Sequence, residues 1–105
     1  ATPTERAILL TALLEAADRV DSTTGLQMSY LKGWSTRSHR DIAVRMPTLI
    51  DGTGAASRAD AADLVRTGAT YDVAYLDPPY NQHSYYRNYH VWETLVRGDA
   101  PAAYG

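Results

Sequence analysis

The sequence has no cysteine among its 105 residues, and that absence removes two classes of protein. Neither a disulfide framework nor a thiolate metal site can be built from it. Apolar runs are only a few residues long, as in "AILL" and "VAYL". A membrane-crossing helix needs about 20. No charged-then-apolar leader opens the sequence, so a soluble, cytoplasmic protein with no membrane partner is expected. A strong positive balance is missing too: the formal net charge is -2, which argues against a globally basic nucleic-acid binder and leaves local patches open. His39, His83 and His90 lack an adjacent carboxylate or a ligand-like spacing, so no metal site is expected. Internal repeats and low-complexity tracts are absent.

What is present is 45% hydrophobic, enough for one modest domain over residues 1–105. "TPTERAILLTALLEAADRVD" carries a helix signature. Thr2 is placed to be the N-cap, Pro3 suits the first helical position, and Glu5 completes a capping box. Leu9, Leu13, Ala16 and Val20 form one stripe with Leu10, Leu14 and Ala17 beside it, a wide apolar face that predicts burial against something large.

Gly25, Gly33 and a cluster of hydroxyls break the pattern, with a short helical or extended piece expected near Met28 to Leu31. "IAVRM" alternates Ile42, Val44 and Met46, the period of a half-exposed strand that Pro47 stops. "DGTG" reads as a turn, "AASRAD" as a short strand, and "AADLVRTG" as a short helix ended by Gly68. In "YDVAYL" the run Val73 to Leu76 is continuous rather than alternating, as in a central strand covered on both faces. "NYHVWETLVRG" reads as another helix, with Asn88 as N-cap, Tyr89, Trp92, Leu95 and Val96 inward, Arg97 in the last turn and Gly98 beyond it. The order of elements is that of an α/β domain.

"AYLDPPYN" poses a chemical question, because a buried strand would end there by giving up two backbone donors in a row. In an open α/β sheet, ligands bind outside the carboxyl ends of the strands, where Asp77 would lie. Each of Asp77 and Pro78 precedes a proline and is pushed out of the helical region, so the segment is stiff. The Asp77 and Pro78 carbonyls stay available as acceptors, and Tyr80 adds an aromatic ring. Such a lip suits a planar ligand with an exocyclic amine, which donates to the carboxylate and a carbonyl while its ring stacks on Tyr80.

"LDPPY" resembles the catalytic signature of the DNA amino-methyltransferases, in the Asp form associated with N6-adenine methylation. The wider stretch "YDVAYLDPPYNQHSYYRNYHVWETLV" is similar to the D12-type adenine-specific DNA methylases, firmly over residues 71–97 and loosely upstream. The resemblance implies a partial Rossmann-like α/β fold and S-adenosylmethionine as cofactor. The implied activity is site-specific transfer of a methyl group to the N6 amine of adenine in DNA, as in restriction-modification systems. Asp77, Pro78, Pro79 and Tyr80 would form the catalytic motif. An adenine in a duplex hides its N6, so the base would be flipped out, stacked on Tyr80, and oriented by Asp77 and the Pro78 carbonyl. The family's acidic contact to the cofactor's adenine would fall on Asp60, with Asp77 also facing the cofactor. Asp60 is equally well placed as the N-cap of "AADLV". The family's glycine-rich cofactor motif and a target-recognition domain are absent, so the chain is expected to act with remaining parts of a parent methyltransferase and to be inactive alone. Methylation of another amine (cytosine N4 or an RNA adenine) and a non-catalytic nucleic-acid-binding module are the alternatives.

Two further clusters carry nucleic-acid chemistry. "NQHSYYRNYH" interleaves tyrosines with Arg87, making Asn81, Tyr85, Tyr86 and Arg87 candidates for base stacking and phosphate contact, or else tyrosines covering a sheet edge. "LKGWSTRSHR" groups Lys32, Arg37, His39 and Arg40 with Trp34, a set able to hold DNA backbone or to stand as a solvated loop.

Overall fold

Local chemistry at Thr2 starts the first helix of the computed structural model, which describes residues 1–25, 31–78 and 85–102. Helix α1 spans Pro3–Asp18 with Thr2 as its N-cap. The Glu5 N–H donates to Thr2 Oγ1 at 3.2 Å and the Thr2 N–H donates to Glu5 Oε2 at 2.7 Å, so the capping box closes in both directions. A short 3₁₀ helix follows at Thr36–His39, then α2 over Ala61–Arg66 and α3 over Tyr85–Arg97. Gly68, at φ 70°, and Gly98, at φ 66°, take the left-handed conformation just beyond α2 and α3. The Gly98 N–H returns to the Thr94 carbonyl at 2.8 Å and stops α3 there.

The chain divides into two compact units, Ala1–Thr48 with Pro79–Gly105, and Leu49–Pro78. In the first, α1 packs against α3. Ala12 and Ala16, one turn apart on α1, are its buried apolar residues, at 2% and 1% exposure. Their small side chains leave room for a neighbouring backbone, and Arg6 Nη2 donates to the Val96 carbonyl at 3.3 Å. Of the face expected inward, Ala16 is buried, Leu10, Leu13, Leu14, Ala17 and Val20 are half-buried, and Leu9 is exposed. One helical neighbour covers one stripe, and an apolar face this wide exceeds it.

Helix α3 begins at Tyr85, so Asn88 is not its N-cap but lies within it. Asn88, Val91, Trp92 and Leu95 are the half-buried residues of one face, while Tyr89 and Val96, expected inward, are exposed. Nothing in Tyr85, Tyr86 or Arg87 disfavours a helix, so the turn before Asn88 joins it. The Asn88 Oδ1 atom is buried and meets no hydrogen-bond donor among the described residues.

No strand is formed among the described residues, whose one bridge position is Thr23. Residues 42–46, 55–60 and 71–76, expected as strands, carry no sheet pairing there. The physical reason is that a strand is completed by its neighbour, and the described residues supply none. Every residue of the second unit, 49–78, is exposed, with Val73, Tyr75 and Leu76 at 85%, 89% and 84%. The piece expected near residues 28–31 falls mostly outside the described residues. Among the described residues, no helix is long and apolar enough to cross a membrane.

Candidate active site

Asp77 and Pro78 end the second unit and are exposed. Pro79, Tyr80 and Asn81, the rest of the motif and its flank, lie outside the described residues. Asp60 belongs to the same unit as Asp77. Its Oδ1 accepts the Ala62 N–H at 2.8 Å and caps α2. The capping role open in the sequence is thus realised, and it engages one carboxylate oxygen.

Tyr85, Tyr86 and Arg87 form the first turn of α3 and are all exposed. Tyr85 and Tyr89, one turn apart, bring their rings to 5.3 Å between centroids at a tilt of 50°. Both rings stand on the exposed side of α3. Tyr86 stands clear at 79% exposure, an aromatic face available to a partner.

The two arginines of the basic cluster have different surroundings. Arg37 is held by Asp21: its Nη2 pairs with Asp21 Oδ1, and its Nε donates to the Asp21 carbonyl at 2.9 Å. Ser35 Oγ donates to that same carbonyl at 3.1 Å, and Thr23 Oγ1 donates to Asp21 Oδ2 at 2.9 Å. The Ser35 N–H donates to Ser22 Oγ at 2.9 Å. Asp21 thus organises the turn after α1, a role missed from sequence although "DSTT" carries the side chains for it. Arg40 borders a hollow with Arg19 and Arg45, neither of which the sequence singled out. No group of three or more His, Asp or Glu that could hold a metal ion occurs among the described residues.

Asp77 and Pro78, exposed at the end of the second unit, open the Asp-Pro-Pro-Tyr sequence that resembles the signature of the amino-methyltransferases. Comparison with known proteins makes this specific: the chain belongs to the D12 class N6 adenine-specific DNA methyltransferase family, whose model matches residues 1–105. The similarity therefore covers the loosely matching upstream half as well. The chain is 35% identical over 99 residues to Modification methylase StsI of Streptococcus sanguinis, covering 92% of the chain and 15% of that protein. It is 31% identical over 106 residues to Modification methylase LlaI of Lactococcus lactis subsp. lactis, with 96% and 17% covered. To Type II methyltransferase M.FokI of Planomicrobium okeanokoites it is 35% identical over 105 residues, with 96% and 16% covered. The chain thus spans about a sixth of the length of these relatives. No solved structure matches it.

Membership of a methyltransferase family implies S-adenosylmethionine as the methyl donor in general. The described residues do not fit such a molecule on their own. A cofactor site buries most of its ligand, and residues 49–78, which include Asp60 and Asp77, are exposed throughout. One oxygen of Asp60 is already engaged by the helix it caps.

Proposed function

We propose that the complete enzyme to which this chain contributes is a site-specific DNA methyltransferase acting on the N6 amine of adenine. S-adenosylmethionine supplies the methyl group. The observation that carries the reading is the family match over residues 1–105 with Asp-Pro-Pro-Tyr intact at positions 77–80.

The chain's own part is to hold and orient the amine. The N6 of adenine has two hydrogens and a lone pair delocalised into the ring. Accepting those hydrogens at the Asp77 carboxylate and the Pro78 carbonyl turns the lone pair toward the incoming methyl group and favours the positive charge that grows on nitrogen. Neither proline has an N–H to compete for these acceptors. Tyr80 supplies the face on which the flipped base stacks, and Asn81, Tyr85, Tyr86 and Arg87 extend the nucleic-acid contact. Asp60 contributes its remaining carboxylate oxygen to the cofactor side once the rest of the site is present.

The α/β, Rossmann-like arrangement belongs to the same proposal. Val73, Ala74, Tyr75 and Leu76 occupy successive positions without a charge and are exposed, which is the pattern of a strand awaiting cover on both faces. The test of the reading is Asp77→Ala in a complete enzyme, with methylated bases identified by mass spectrometry. Turnover should be abolished with the thermal melt largely unchanged, because Asp77 is exposed and outside any buried seam. Near-normal formation of N6-methyladenine would overturn it.

A further inference from the structure

We infer that Arg19, Arg40 and Arg45 form a seat for a phosphate of the DNA backbone, apart from the Asp-Pro-Pro-Tyr motif. This rests on the reading of the protein as a DNA methyltransferase. The hollow has a volume of about 270 Å³ and lies wholly within the first unit, between the end of α1 and the segment after the 3₁₀ helix. Ala16 and Val20 of α1 give it an apolar wall, and Asp41 is its one acidic residue. Three arginines against Asp41 in the lining and Glu15, which pairs with Arg19, leave a positive excess of one in a chain whose formal net charge is -2.

The arginines differ in how far they are already occupied. Arg6, Arg37, Arg66 and Arg97 each hold an oxygen of the chain itself. Arg19 gives one nitrogen to Glu15 at 3.0 Å. Arg40 and Arg45, like Arg58 and Arg87, make no ion pair or side-chain hydrogen bond among the described residues, and of these four only Arg40 and Arg45 line the hollow. A guanidinium presents five N–H donors in a planar fork that matches the paired oxygens of a phosphodiester, and its weak hydration makes it easy to strip of water. Two arginines without an internal partner, lining one hollow with a third that Glu15 engages through one nitrogen, offer donors to an oxyanion. The hollow is large enough to admit a phosphate group.

The basic cluster seen in the sequence is therefore redistributed. Arg37 braces the turn, Arg40 lines the hollow, and Arg19 and Arg45 join it from outside the cluster. A phosphate contact of this kind positions the duplex without reading its sequence.

The experiment measures DNA affinity of the complete enzyme across about 50–200 mM salt, for duplexes with and without the methylation site. Releasing one phosphate contact lowers the slope of log affinity against log salt by about 0.9. Arg40→Ala/Arg45→Ala should show that loss on both duplexes, and Arg40→Lys/Arg45→Lys should restore most of the slope with an unchanged melt. An unaltered slope, or a loss confined to the duplex bearing the site, would overturn the proposal. Inorganic phosphate provides the second arm: at constant ionic strength it should compete with DNA for the wild-type enzyme and less so for Arg40→Ala/Arg45→Ala, and competition undiminished in that variant would overturn the seat. If the wild-type enzyme methylates adenine while the slope does not move, the seat alone fails. If the slope moves and the product is not N6-methyladenine, the enzyme reading fails and the seat stands.

Discussion

Single residues of one type carry unequal work in this chain, and the arginines show it. Arg37 and Arg40 lie three positions apart in sequence, yet one is held by Asp21 and the other faces a hollow. The difference is set by the turn after α1, which brings an acidic partner to one of them only. At the motif, the same separation of roles predicts two kinds of failure. Tyr80→Phe keeps the ring and should retain much of the complete enzyme's activity. Tyr80→Ala removes a stacking contact worth about 1–3 kcal/mol and should lower the productive flipped population by about one to two powers of ten. A 2-aminopurine at the target position reports this, since its fluorescence rises on unstacking and is quenched by a stacked tyrosine. Equal damage from Phe and Ala would give the hydroxyl, not the ring, the operative role.

Elements were legible in the sequence where their signals are local. The Thr2 and Glu5 capping box, the short helix closed at Gly68 and the stop at Gly98 all form as read, because each depends on a few neighbouring residues. The start of α3 did not follow its best capping residue, since an asparagine inside a longer helix looks the same in sequence as one at its start. Strands at 42–46 and 71–76 were beyond reach for a different reason: alternation or a run of apolar residues states a preference, and pairing requires a partner. Of the candidate site, the Asp-Pro-Pro-Tyr sequence is visible as four consecutive residues, whereas a hollow lined from two separate stretches has no linear signature. Asn88 offers a test at this scale. Its buried Oδ1, which meets no donor among the described residues, carries a desolvation cost of about 1–3 kcal/mol, so Asn88→Leu should raise the melting temperature of the chain. An unchanged or lower melt would show that the amide is satisfied in solution.

For the whole molecule, the notable quantity is how little is covered. Two alanines are the buried apolar residues of the described chain, and an entire unit is exposed. Affinity for a cofactor comes from enclosure, which these residues do not provide, so the isolated chain should bind S-adenosylmethionine weakly or not at all. Isothermal titration calorimetry giving micromolar affinity would contradict this.

The first unit is drawn from two stretches of chain, with residues 49–78 between them in sequence. In polymer terms, the α1 and α3 contact closes a loop. The entropic cost of closure grows only as the logarithm of loop length, about 0.6 kcal/mol for each doubling. The helix pair is therefore nearly indifferent to how many residues lie between its members. Insertions and deletions between Leu49 and Leu76 can accumulate at small cost to that pair, until they reach Asp77 and Pro78 at the end of the second unit. With the role proposed for those two residues, the limit on length variation within this stretch is chemical rather than structural.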